Sequence, residues 1–263
     1  MKREHETKTT PSGDELIFYC DCNDNVIDQV SGLNLAQRWP SFTPTYVTDP
    51  IDSSRKCLKK TLNVRCPVII GNHSLTGTDS DVFIISATQY YPDETNRKFL
   101  ASPVNGNRRV EFKLFVNTGD DTYDGNIFDS TGLGNNNSNS NNSGISLLRM
   151  KNTRQIIIRA RNNTSTNIDT VVGSFSSLTG KWLNCIFEFE YLNQSAYKAS
   201  VYIYNDSTGE LIASTVQTLT IPLIQNRYNR TCCNFLVDET GGGRWGANNK
   251  DYIKEVKVWK IVS

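Results

Sequence analysis

Histidine is almost missing from this chain: of 263 residues, only His5 and His73 carry an imidazole. A Ser-His-Asp or Cys-His centre needs that imidazole as its general base. His5 lies in a polar N-terminal stretch, and His73 sits in the polar turn Gly71-Asn-His-Ser74, where nothing around it suggests such a centre. Charge of one sign is missing as well. Twenty-eight Lys and Arg against 27 Asp and Glu leave a net charge of +1, without the basic excess that phosphate neutralisation requires, which excludes nucleic acid as the main partner. Long apolar runs are absent: nothing approaches the ~20 residues of a membrane span, and Met1 to Gly13 is polar and charged rather than signal-like. No glycine-rich phosphate loop follows a strand, since Gly241-Gly-Gly243 runs into Arg244-Trp245 instead of a helix opening on Lys-Ser/Thr.

What is present is period-two alternation. In Val110-Glu-Phe-Lys-Leu-Phe-Val116, Val110, Phe112, Leu114 and Val116 face one way and Glu111 and Lys113 the other, the pattern of a half-buried strand. Tyr197 to Ile203 repeats it, with Ala199, Val201 and Ile203 inward and Lys198 and Ser200 outward. Similar runs are predicted as strands at Leu16–Cys20, Leu62–Ile70, Asp81–Tyr90, Ile145–Met150, Gln155–Ala160, Val171–Phe175, Leu183–Phe189, Leu211–Ile221, Cys233–Val237 and Asp251–Val262. About a dozen short strands separated by Gly, Asn, Asp and Ser clusters predict an all-β protein of two packed antiparallel sheets, most economically a jelly roll. One helical piece is expected, around Leu33–Arg38. Hydrophobic residues make up 37% of the chain, enough for one large core, since a chain of this size buries roughly 75% of its unfolded surface. The expected organisation is an N-terminal arm over residues 1–13 and one domain over 14–263.

Seven cysteines, at 20, 22, 57, 66, 185, 232 and 233, are an odd number. Without a secretory signal they fit reduced thiols better than a disulfide framework. Cys185, inside an apolar strand, reads as a small buried hydrophobe. Cys20-Asp-Cys22 and Cys232-Cys233 form a zinc alternative, although neither has the two-to-four-residue spacing of zinc knuckles. Asn135 to Ser143 contains only Asn and Ser and reads as an exposed loop tip. Asn72, Asn162, Asn193, Asn205 and Asn229 begin Asn-x-Ser/Thr triplets, which an Asn-rich chain also produces by chance.

Several segments, in order, resemble laminin-G-like domains of the concanavalin A-like superfamily. They are Leu16-Ile-Phe-Tyr-Cys-Asp21 with Asp28-Gln-Val-Ser-Gly32, then Lys56-Cys-Leu-Lys-Lys-Thr61, then Thr179-Gly-Lys-Trp182 leading into Leu183–Glu190. Val201-Tyr-Ile-Tyr204 with Gly209, and Ile253-Lys-Glu-Val-Lys-Val-Trp259, complete the series. The resemblance implies a lectin-like sandwich over residues 14–263, of the kind found in bacteriophage fibres and virion decorations. Trp182 and Trp259 read as core aromatics in preference to sugar-stacking groups, and Gly180 and Gly209 as turn residues accepting positive φ. Calcium-binding relatives often place Asp after the Ile that opens the last strand, where this chain has Lys254. A second calcium candidate is the loop Asp120-Asp-Thr-Tyr-Asp-Gly125, with Asp120, Asp121 and Asp124 as ligands. It lacks the distal bidentate Glu of an EF-hand, since Thr131 stands there. No other cofactor is expected.

The resemblance also sets a test for catalysis. Glycosidases of this fold carry Glu-x-Asp-x-x-Glu on one strand, and the nearest match, Glu188-Phe-Glu190-Tyr-Leu-Asn193, ends in Asn. Glu188 and Glu190 would share one face about 7 Å apart, read as a solvated face opposite Ile186, Phe187 and Phe189. Polysaccharide lyases of similar architecture use Arg-x-Glu-x-Arg, Gln-x-His and a Tyr. Arg109-Val-Glu111-Phe-Lys113 echoes the first, while Gln155-Ile-Ile157 lacks the His. The expectation is therefore a non-enzyme.

Two loop clusters offer an aromatic beside amides and acids, as a glycan site would: Tyr90, Tyr91 and Asp93, and Arg244, Trp245 and Asn248. The same types anchor protein interfaces. The expected function is a virion surface or fibre protein, made in the host cytoplasm without membrane insertion. Its expected partners are other virion proteins, copies of itself (a trimer among the forms) and a host surface glycan. The alternatives are a glycan-active enzyme or a stand-alone carbohydrate-binding module.

Overall fold

The computed structural model describes residues 13–25, 27, 29–30, 45–59, 68–71, 107–117, 125–129, 144–162, 167–193, 195–220, 232–235 and 251–261. The strands are β1 (Glu15–Cys20), β2 (Thr45–Thr48), β3 (Lys56–Lys59), β4 (Val68–Gly71), β5 (Asn107–Phe115), β6 (Gly125–Asp129) and β7 (Gly144–Met150). They continue with β8 (Gln155–Arg161), β9 (Asn167–Ser174), β10 (Trp182–Asn193), β11 (Ala196–Asn205), β12 (Leu211–Thr220), β13 (Cys232–Phe235) and β14 (Tyr252–Ile261). One helical turn, α1 (Phe175–Leu178), lies between β9 and β10.

The larger sheet runs β12-β11-β10-β5-β14-β3-β2, with β1 also on β14. The smaller runs β4-β13-β6-β7-β8-β9. Neighbouring strands are antiparallel throughout the described residues. The fold is an all-β, two-sheet sandwich of the jelly-roll class. No described helix is long and apolar enough to cross a membrane.

The alternation read from β5 holds: Val110, Phe112 and Leu114 are buried between the sheets, where Phe187, Val201 and Ile203 of the larger sheet meet Ile145, Leu147, Ile156 and Ile158 of the smaller. Phe128 of β6 locks the layers together, its ring centroid 4.2 Å from Phe187 and 5.6 Å from Phe112. Each such side chain contributes about 1.5–3 kcal/mol by leaving water, so the phenylalanine trio is a main tie between the layers. A second tie is ionic: Arg149 of β7 donates to Asp251, just before β14, at 2.9 Å. Both of those side chains are fully buried. Arg149 also donates to the Asn117 carbonyl and lies 3.8 Å from the Phe175 ring.

Three features differ from expectation. The run Val171–Phe175 is not one strand: β9 ends at Ser174, whose side chain accepts the Ser177 N–H and caps α1, turning Phe175 and Leu178 inward. The capping chemistry of Ser174 outweighs the β-branched run before it. Ile186 was placed opposite Glu188, yet it shares that outward face, because side chains alternate strictly. Strands β2, β3 and β6 are only four or five residues long, too short to show a period. Trp182 and Trp259 are buried, 5% and 9% exposed, but outside the core between the sheets: Trp182 packs with Phe115 and Cys57 in a separate cluster, and Trp259 stands opposite Arg109 on the outward face. Gly180 and Gly209 take φ of 79° and 70°, the left-handed turn conformation expected of them. The candidate helix Leu33–Arg38, the run Asp81–Tyr90 and the loop 135–143 lie outside the described residues, as do residues 1–12 of the arm.

Candidate functional site

The polar half of each strand in the larger sheet points away from the core, and strand register assembles those halves into rows. On β5, Arg109, Glu111 and Lys113 face outward. β10 sets Glu188 opposite Arg109, Ile186 opposite Glu111 and Asn184 opposite Lys113. On the other side β14 sets Trp259 opposite Arg109 and Lys257 opposite Glu111. β11 extends the rows with Ser200, Tyr202 and Tyr204 against Glu188, Ile186 and Asn184, and β1 adds Tyr19 against Lys257. The middle row thus reads Tyr202, Ile186, Glu111, Lys257, Tyr19. It crosses five strands, about 19 Å at ~4.8 Å per step.

Arg109 is the hub of this face. Its Nε donates to Glu188 Oε1 at 2.8 Å, and its Nη1 lies 3.3 Å from Asp14 Oδ2 and 3.8 Å from Glu111 Oε1. Asp14 holds the guanidinium from beneath, with its side chain 1% exposed, whereas Glu188 is 36% exposed. Burial pushes the Glu111 carboxyl above its ordinary range, against the attraction of Arg109 and Lys257. The Trp259 indole N–H is drawn toward Glu111, which eases that rise. Trp259 Nε1 and Asp14 Oδ1 are both buried here, and neither has a partner at full hydrogen-bond geometry among the described residues. Burial, then the charges of Glu255 and Asp21, push the Tyr19 phenol up to about 12, so at neutral pH it is a hydroxyl, not a base.

Further along the face, Lys113 bridges Asp206 at 3.2 Å and Glu255 at 3.3 Å, and Glu255 also pairs with Arg55. A bulge in β14 makes this possible: Glu255 adopts φ 56°, and the register shifts between Lys254 and Lys257. Beyond it the face is sealed. Lys254 pairs with Asp49 and lies 3.9 Å from the centre of the Trp182 ring. Asp49 Oδ1 accepts the Trp182 indole N–H at 3.0 Å and the Ile51 N–H at 2.9 Å. Burial works against the Asp49 carboxylate, but these hydrogen bonds prevail and hold its pKa below the ordinary value. Phe115, Trp182 and Cys57 form a small separate core around the group. Lys254, noted from sequence as standing where an acidic residue would suit calcium, thus places its own ammonium on a carboxylate.

Glu188 and Glu190 share one partly solvated face, as read from sequence. Glu190 is engaged by Lys198 while Glu188 joins Arg109. The carboxylate brought beside Glu188 is Glu111, from the neighbouring strand. Gln155 of the lyase-like echo belongs to β8 of the other sheet. Cys20, Cys22, Cys57 and Cys185 are buried and in no disulfide, and the Cys20 and Cys22 sulfurs lie 3.6 Å apart. Among the described residues no group of three His, Cys, Asp or Glu is arranged to hold a metal ion. Asn193 and Asn205 turn their side chains onto the N–H and hydroxyl of Ser195 and Ser207, closing tight turns. The loop candidates Tyr90, Tyr91, Asp93, Arg244, Trp245 and Asn248, and the calcium candidates Asp120, Asp121 and Asp124, lie outside the described residues. Asp14, Asp49 and Trp259 were not singled out as site residues from sequence, because their partners lie far along the chain.

No family model and no curated protein matches the chain. Among solved structures, it is similar to an alginate lyase from Aplysia kurodai, with 11% identity, TM-score 0.46, and 94% of this chain and 99% of that one covered. It is also similar to a glucuronan lyase from Trichoderma reesei, at 11% identity and TM-score 0.46 over 94% and 96% of the two chains. A third is the binding domain of botulinum neurotoxin serotype D/C, at 14% identity and TM-score 0.49 over 94% of this chain and 49% of that one. The chain thus spans about half of the neurotoxin domain's length. At such identities and scores no residue role or activity passes to this protein.

Proposed function

We propose that the protein is a non-enzymatic glycan-binding sandwich that takes its ligand on the open face of the larger sheet. The observation that carries this reading is the row Tyr202, Ile186, Glu111, Lys257, Tyr19 beside the Arg109 hub. Aromatic rings supply apolar surface for sugar faces, and fixed donors and acceptors between them orient hydroxyls. The setting proposed from sequence is a virion surface, with other virion proteins and copies of this chain as partners. The four buried thiols in no disulfide support manufacture in a reducing compartment. The test is binding to immobilised glycans by the protein and by Tyr202→Ala, with thermal unfolding to show that the variant is folded. Loss of binding in a folded variant supports the face, and undiminished binding sinks it. Detection of the chain in purified particles, with its native mass, tests the setting.

One observation favours the second reading, a glycoside hydrolase. Glu111 and Glu188 both reach Arg109, and burial raises the pKa of the first, so the pair could divide acid and base roles. Release of reducing ends, abolished in Glu188→Gln, would replace the binding reading.

A further inference from the structure

Resting on the sheet-face reading above, we infer that the ligand is a neutral, hydroxyl-rich glycan and not a polyuronate. The charges on the face decide this. A chain of uronic acids needs cations whose charge is still available, yet the basic groups of this face already have acidic neighbours. Arg109 is shared by Asp14, Glu111 and Glu188, Lys113 by Asp206 and Glu255, and Lys198 is held by Glu190. Lys257 stands directly opposite Glu111.

Around the hub the imbalance runs the other way, with the three carboxylates of Asp14, Glu111 and Glu188 to the two cations Arg109 and Lys257. A further carboxylate from a ligand would meet like charge at short range. Sugar hydroxyls meet the opposite situation, because an ionised carboxylate is purely an acceptor and a hydroxyl can donate to it. Glu188, the most exposed of the three at 36%, is the acceptor a ligand reaches first. Asp14 stays beneath and neutralises Arg109 before any ligand arrives.

The experiment compares cello-, laminari- and manno-oligosaccharides with guluronate and mannuronate oligomers, measured by calorimetry on the full chain at low and high salt. Neutral oligomers should bind at least about tenfold more tightly than uronates of equal length. Their affinity should hardly change with salt, because no net charge is neutralised. Glu188→Gln should weaken the neutral ligand several-fold, and Glu188→Lys should shift preference toward uronates. Tighter uronate binding that falls with salt overturns the inference while leaving the sheet face as the site. Neutral binding untouched by Glu188→Gln and by Tyr202→Ala overturns both, as does failure of every oligomer to bind a folded protein.

Discussion

The Asp49 and Arg109 clusters lie toward opposite ends of one sheet face, and they differ in how far their hydrogen-bonding capacity is met. At the Asp49 end both carboxylate oxygens are engaged, by Lys254, by Trp182 and by backbone N–H groups, and an aromatic ring covers the ammonium. At the Arg109 end one guanidinium serves three acids, and a buried indole N–H and a buried carboxylate oxygen lack partners among the described residues. A fully satisfied buried charge is a structural device, since its desolvation is offset by its own partners. At the Arg109 end Glu188 keeps 36% of its side chain exposed, which leaves a charged acceptor within a ligand's reach. The two ends should therefore answer mutation in different currencies, stability at one and affinity at the other.

The largest loss should come from the charge pair buried between the sheets. Arg149→Met strands Asp251 between the sheets, and removing one member of a buried pair costs about 3–5 kcal/mol. Urea denaturation followed by circular dichroism measures it. Replacing both partners, as Arg149→Met with Asp251→Leu, should recover part of the loss, though not the Asn117 N–H bond that Asp251 also accepts. Equal stability of the single variant and the parent would mean that the sheets are held together without this bridge.

Next comes Lys254→Met, which leaves Asp49 without its ammonium and strips the cation from Trp182. A loss approaching that of Arg149→Met is expected, with glycan affinity unchanged. The pH dependence gives a second reading. The folded-state pKa of Asp49 lies below its ordinary value of 3.8, so its contribution is fully present above that value. It is lost as pH falls through the folded value. Without Lys254 the folded-state pKa of Asp49 rises toward 3.8, so in Lys254→Met the acid limb of the stability curve should become shallower. An acid limb of unchanged steepness would remove Asp49 from the account of acid stability.

How much of these two clusters was legible in the sequence follows from geometry. Alternation in β5 and β11 assigned faces correctly, because a half-buried strand writes its burial into every second residue. Glu188 and Arg109 were both visible as polar positions. Their meeting was not, because 79 residues separate them and only register aligns them. Asp49 and Lys254 are separated by 205 residues, and the bulge at Glu255 breaks the count on β14, so no local pattern announces that pair. Phe175 illustrates the reverse case, where a cap three residues wide decides between strand and helix against the hydrophobic run.

At the open end, Glu111→Gln should cost affinity without costing fold. The folded-state pKa of Glu111 lies above its ordinary value of 4.5. The native protein therefore binds that proton more tightly than the unfolded chain does, and stability declines as pH rises from 4.5 through the folded value. Glutamine removes the decline, so at neutral pH the variant should be as stable as the parent or slightly more so. Thermal melts from acid to neutral pH check this. A large loss of stability at neutral pH would class Glu111 with the sealed cluster.

The smallest effect tests whether exposure alone separates a surface pair from the hub. Glu190 and Lys198 pair across β10 and β11 at 43% and 38% side-chain exposure, one step along the same face from Glu188. Water competes for both groups, so Glu190→Gln should leave stability essentially unchanged. It should also leave glycan affinity within about twofold, since a rim charge contributes mainly to encounter. If instead Glu190→Gln abolished binding as Glu188→Gln should, the ligand would lie toward the β10–β11 end of the face, and Arg109 would be a brace for the sheet.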